Sequence, residues 1–220
     1  LHLLSRRQRQ MCIRDSFIYM QKDTLRYRIG VATYSVGVAY NNRKTSLQFI
    51  QQEMNNITAL SNETCQLGIQ SRNMVLYIAK KDSPQPIRLM SSVGKQLPLY
   101  CTGLGRALLA YKSEEEIRNL FPEVLTAYTP HTIATINDLL KELELTRQRG
   151  YAVEHEETNL MVNCIAVSLD YNNAPIAALS ISIPTFRISE SKEKEAVQIL
   201  WEAKQRIETH FKMYGVDFGN

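Results

Sequence analysis

The residues with the most obvious chemistry sit between positions 154 and 164, where Glu154, Glu156 and Glu157 flank His155 and Cys164 follows ten residues after Glu154. A cysteine with a nearby imidazole is the minimal set for nucleophilic catalysis, because the base raises the fraction of reactive thiolate. Adjacent strand positions point to opposite faces, however, and no oxyanion hole is evident. Cys164 then reads as a small buried hydrophobe with a weakly polar sulfur. A metal site built from His131, His155 and the glutamates lacks the i, i+4 or paired spacing that coordination favours. No catalytic residue, metal or cofactor is therefore expected.

A second feature is Gly103-Leu104-Gly105, which leads into RALLAY, a run that reads as helix. The amides of residues 103–105 are expected at the helix start, where the first N–H groups lack helical acceptors and the dipole adds about half a positive charge. Such a start attracts anions, and a carboxylate is a natural ligand. The same glycines also read as permitting a tight connection from strand to helix. Ser180 and Ser182 alternate with apolar residues, so they share one sheet face and at least one hydroxyl can reach a ligand.

The elements that must position these groups follow from periodicity. FIYM, QKDT and LRYRIG in residues 17–30 form a hairpin, marginal alone. It reads as an edge hairpin, or as the wing of a winged helix with Lys22 or Arg26 against DNA backbone. Leu47, Ile50, Met54, Ile57 and Leu60 mark one face of a helix over 45–62. CQLGIQ, MVLYIAK and IRLMSS read as a three-strand meander, interrupted by Ser71, Asn73 and DSPQP at 82–86. Ser113 and Glu116 form a capping box. Thr135 caps a helix whose Ile136, Leu139, Leu140, Leu143 and Leu145 face a core and which stops at Gly150. NCIAVSLD, an Asn172-Asn173 turn and PIAALSISIP suit central strands. Ser189 opens a long helix carrying Val197, Leu200, Trp201, Ile207 and Phe211 on one side and ending near His210. This order predicts an α/β (α+β) domain, with helices covering a mainly antiparallel sheet.

Composition narrows the class. The 220 residues are 44 % hydrophobic and 22 % charged, which suits one sizeable core with a smaller appendage. No apolar run approaches the ~20 residues of a bilayer span, and no signal peptide opens the chain, so a cytoplasmic protein with no membrane partner is expected. Cys12, Cys65, Cys101 and Cys164 lie too far apart for a disulfide framework or zinc ribbon. Of the net charge of +4, Arg6, Arg7, Arg9 and Arg14 against Asp15 put +3 in residues 1–16, so the body is nearly neutral. That segment reads as a phosphate-gripping arm or as non-native sequence, since SRRQRQMCIRDS resembles translated sequencing adaptor. It is set aside from the fold as non-native.

LPLYCTGLGRALLA, RGYAVEHEE, NCIAVSLD and ALSISIP, in this order over residues 45–215, resemble the effector-binding domain of the IclR family of bacterial transcription regulators. The resemblance implies a GAF-like or profilin-like effector domain over 45–220, preceded by a linker helix over 31–44. Residues 17–30 would be the remnant wing of a winged helix-turn-helix, with the recognition helix upstream. It further implies a small carboxylate effector, operator DNA in the full-length protein, and a homodimer or homotetramer. The run KKDSPQPIRLMSSVGKQLPLYCTGLGRALLA is similar to regulators of 2-keto-3-deoxygluconate and related sugar-acid catabolism. By that likeness the amides of Gly103 and Leu104 hold the carboxylate. Glu154 replaces a family aspartate that contacts a hydroxyl or keto group, and Cys164 lines the floor. Two departures stand out: Glu154 is a methylene longer than aspartate, and Met161 replaces a common glycine, which predicts a smaller or reshaped pocket. The rival readings are a Cys-dependent small-molecule hydrolase and a GAF-type nucleotide sensor.

Overall fold

The computed structural model describes residue 11 and residues 15–21, 23–42, 46–86 and 92–216. Most of the basic N-terminal segment, residues 1–10 and 12–14, lies outside them, as does Lys22. The chain divides into two compact units, one within residues 1–48 and the other Phe49–Val216.

In the first unit β1 (Ile18–Met20) pairs antiparallel with β2 (Tyr27–Ile29), Ile18 opposite Ile29, and α1 (Val31–Asn42) follows. Gly30 joins strand to helix because a Cβ there would fall 2.0 Å from the Ser16 carbonyl oxygen. Arg26 lies just before β2 with its side chain exposed.

The second unit continues α2 (Ser46–Ser61) into β3 (Thr64–Ser71), β4 (Met74–Lys81) and β5 (Gln96–Pro98). Next come α3 (Gly103–Leu109), α4 (Glu114–Leu120) and α5 (Ile136–Arg149). The chain then runs through β6 (Ala152–His155), β7 (Val162–Tyr171) and β8 (Ala174–Pro184) to α6 (Glu190–Tyr214). The six described strands pair antiparallel throughout, in the order β5-β4-β3-β8-β7-β6. Asn172 and Asn173 both take positive φ, 51° and 61°, which matches the right-handed twist of the β7–β8 hairpin. Ser113 with Glu116 forms the capping box, Thr135 and Ser189 cap α5 and α6, and Gly150 closes α5 at φ 78°.

Three apolar assignments fail, each by one helical step of about 100°. The buried stripe of α2 runs through Ile50, Met54, Ile57 and Ser61, leaving Leu60 exposed. In α5 it runs through Ile136, Leu139, Leu143 and Thr146, so Leu145 faces solvent. Trp201 sits at the rim of the α6 stripe, 44 % exposed, edge-on to Tyr151. Of IRLMSS, residues 87–91 lie outside the described residues, and the described strand beside β4 is β5. Its three residues include a proline, too few for a period to show.

One core joins α3, α4 and α5 to the sheet through Leu99, Leu104, Leu108, Ile117, Phe121, Leu139 and Leu143 over Val75, Tyr77, Ala152, Ala166 and Ala178. The sheet residues in this contact are mostly alanine. That lets α3 approach the sheet closely and sets the geometry of the site.

Candidate functional site

Strand register gathers the residues. Glu154 on β6 is opposite Cys164 on β7, Cys164 is opposite Ser182 on β8, and Ser182 is opposite Thr64 on β3. Two residues along, and so on the same face, run Ala152, Ala166, Ser180 and Gln66. The other face presents Val153, Ile165, Ile181 and Cys65, all buried and apolar. One side of the sheet is therefore uniformly apolar here, and the other, beside the core beneath α3, α4 and α5, holds a floor of small and polar side chains.

The start of α3 stands on this floor. A Cβ at Gly103 would lie 3.3 Å from the Cys164 Cβ and 3.5 Å from that of Ala166. Gly105 serves the connection instead, since a Cβ there would fall 2.1 Å from the Leu99 carbonyl oxygen. The tight-connection reading of the G-x-G is thus realised at Gly105, while Gly103 brings the start of α3 against the sheet. The expectation of three free amides is corrected: the Gly105 N–H donates to Thr102 Oγ1 at 3.1 Å. The N–H groups of Gly103 and Leu104 find no acceptor among the described residues. At seven residues α3 is also too short for the full axial dipole of a long helix. Its pull on an anion comes from those two N–H groups.

Glu154 is buried, and its Oε1 accepts the N–H groups of Glu157 at 2.5 Å and Thr158 at 3.3 Å. Burial pushes its carboxyl up to about 7, with the Glu157 charge adding and the two N–H donors opposing. Near neutrality it exchanges between donor and acceptor. Cys164 Sγ lies 2.9 Å from Ser182 Oγ, whose hydroxyl donates to Gln66 Oε1 at 3.0 Å. Burial, then the facing Glu154, hold the Cys164 thiol far above its ordinary range, so it stays protonated. Ser180 Oγ is buried with no hydrogen-bond partner among the described residues.

Arg106, which the sequence reading passed over, locks the site together. Fully buried on α3, it donates to the carbonyls of Tyr100 at 3.0 Å and Val153 at 2.8 Å and ion-pairs with Glu157. That glutamate also takes the Ile133 N–H at 3.1 Å, and its own N–H holds Glu154. Its signal was present in the string G-L-G-R, a lone charge in an otherwise apolar helix.

His155 pairs with Asn163, not Cys164, and its Nδ1 lies 2.9 Å from Asn163 Oδ1. The sheet pleat thus keeps imidazole and thiol on opposite faces, so no nucleophile–base pair forms. The His131 imidazole lies 3.9 Å from Glu156, and the described residues gather no group of three or more metal-ligating side chains. Met161, which stands in place of a common glycine, is 57 % exposed. Its φ of 67° explains why glycine suits the position.

The model of the bacterial transcriptional regulator IclR C-terminal domain matches residues 39–209. The HTH-type transcriptional regulator KdgR of Dickeya chrysanthemi is 32 % identical over 193 residues, 87 % of this chain and 63 % of that protein. The HTH-type transcriptional repressor AllR of Escherichia coli K12 is 31 % identical over 195 residues, 88 % of this chain and 72 % of the repressor. An IclR transcriptional regulator from Alicyclobacillus acidocaldarius superposes with a TM-score of 0.80 at 27 % identity, covering 91 % of this chain and 81 % of that one. The C-terminal domain of E. coli KdgR gives 0.68 at 32 % identity, covering 74 % and 96 %. The family model and these relatives agree, and the chain belongs to the IclR family of bacterial transcriptional regulators. It spans 63 % of the KdgR regulator's length. No helix among the described residues is long and apolar enough to cross a membrane.

Proposed function

We propose that this chain carries the sensing domain of a ligand-responsive, DNA-binding repressor of a carbon-catabolic operon, and that its effector is a small carboxylate such as a 2-keto-3-deoxy sugar acid. The observation that carries this reading is the partnerless, buried Ser180 hydroxyl on the same floor as Cys164 and Glu154, beneath the start of α3. An unmet buried hydroxyl costs about 1–3 kcal/mol, which a polar ligand recovers. In this reading the amides of Gly103 and Leu104 take the carboxylate, Glu154 takes a hydroxyl or keto group, Ser180 and Ser182 line the side, and Cys164 forms the floor. No bond is made or broken.

The domain order that fits is a wing over 17–30 carrying Lys22 and Arg26 toward DNA backbone, a linker over 31–44 and the effector domain from 45 on. Residues 1–16 remain proposed as non-native. A homodimer or homotetramer then spaces two reading heads across two half-sites. The effector shifts that spacing by as much as its affinities for the two arrangements differ.

Thermal unfolding with 2-keto-3-deoxygluconate, simpler keto acids and cyclic nucleotides tests the proposal. A keto acid should raise Tm, and Glu154→Ala should abolish the rise. Stabilisation by nucleotide alone, or turnover lost in Cys164→Ala, would overturn it.

A further inference from the structure

Tyr77 played no part in the sequence reading. On β4 it is paired with Gly68 of β3, and Gly68 lies on the same face as Gln66 and Ser180. A Cβ at Gly68 would come within 3.1 Å of Leu104 Cδ1, so the first turn of α3 rests beside Tyr77. The residue is largely buried, and its phenol lies within electrostatic reach of Cys164, Glu154 and Cys101 and makes no hydrogen bond among the described residues. Burial keeps it protonated at every physiological pH.

Ser180 thus has a buried hydroxyl without a partner, and on the same floor the Tyr77 phenol makes no hydrogen bond among the described residues. A core evolved for packing alone has a cheaper solution in alanine at 180, since a buried partnerless hydroxyl is a cost, and gains nothing from tyrosine over phenylalanine at 77. The hydroxyls of Ser182 and Tyr100, by contrast, are satisfied, the latter by the Thr126 carbonyl at 2.7 Å.

We infer that Tyr77 is a specificity residue, whose phenol works with the Ser180 hydroxyl to bind oxygens along the chain of a hydroxylated acid and so favours sugar acids over unsubstituted keto acids. This rests on the effector reading above and names the chemistry of the ligand's tail. A site that must hydrogen-bond a hydroxyl rejects the analogue lacking it, because its own polar groups are then left unpaired.

The experiment is calorimetric titration of wild type, Tyr77→Phe and Ser180→Ala with 2-keto-3-deoxygluconate and with 2-oxohexanoate, which matches its chain length without the hydroxyls. Wild type should prefer the hydroxylated acid at least tenfold. Tyr77→Phe should weaken the hydroxylated acid about tenfold and leave 2-oxohexanoate unchanged. The ligand-free Tm of Tyr77→Phe should not fall, since no hydrogen bond is lost; a structural role would lower it. Equal losses for both acids, or none, in a wild type that binds overturns the role of Tyr77 alone. A wild type that binds neither acid overturns the effector reading and takes this inference with it.

Discussion

Glu154 shows how burial turns a common side chain into a sensitive one. In the unfolded chain it titrates near 4.5, and in the folded protein at about 7. Between those values the folded state holds the extra proton. Its contribution to stability is complete below about pH 4.5 and is lost as pH rises through 7, on the order of 3 kcal/mol in all. Denaturant titrations from pH 4.5 to 7.5 should show this decline, and Glu154→Gln should flatten it, because its neutral amide oxygen still accepts both N–H groups. Effector affinity should weaken over pH 6–8 as a second negative charge appears beside the carboxylate, and should be flat in Glu154→Gln. Cys164 gives the complementary result. With its thiol held protonated and Cys65 and Cys101 buried, iodoacetamide at pH 8 should leave all three unmodified in the native protein and label them after unfolding, as read by mass spectrometry.

At the scale of elements, α3 is a short helix held from three sides. Thr102 caps it, Gly105 lets it touch the Leu99 backbone, and Arg106 ties it to β6 and to Glu157. Thr102→Ala should cost about 1 kcal/mol. Gly105→Ala, which forces backbone apart, should cost about 3 kcal/mol. Arg106→Met leaves Glu157 buried without its partner and should cost about 3–5 kcal/mol, with Arg106→Met/Glu157→Gln recovering part of it. Chemical denaturation gives all four values. Failure of the double variant to recover would mean that Arg106 acts through the Tyr100 and Val153 carbonyls rather than through the ion pair.

At the scale of the molecule, the asymmetry of the sheet matters most. One face is apolar throughout this region, and the other, which also carries the core beneath α3, α4 and α5, sets a patch of small and polar side chains beneath the start of α3. A ligand bound there stabilises the fold by mass action, by about 2.7 kcal/mol at a hundred times its Kd. Scanning calorimetry should show Tm rising with ligand concentration and the rise vanishing in Glu154→Ala. Trp201, packed edge-on to Tyr151 just before β6, should report the same event by fluorescence.

The sequence by itself determined most of the elements, because local signals encode them. Ser113, Thr135, Ser189 and Gly150 are caps, Asn172-Asn173 is a hairpin turn, and the strands from β6 to β8 carry unbroken patterns. It also carried the family resemblance and the residues of the floor. Which side of a helix was buried slipped by one residue at Leu60 and Leu145, since propensity fixes the period but only packing fixes the phase. Tertiary structure alone decided that Glu154, Cys164 and Ser182 lie in one row, that His155 faces away, and that Arg106, Tyr77 and the unmet Ser180 hydroxyl surround them. The physical reason is that strand register and burial are properties of chains brought together across the sheet, and no local window of sequence contains them.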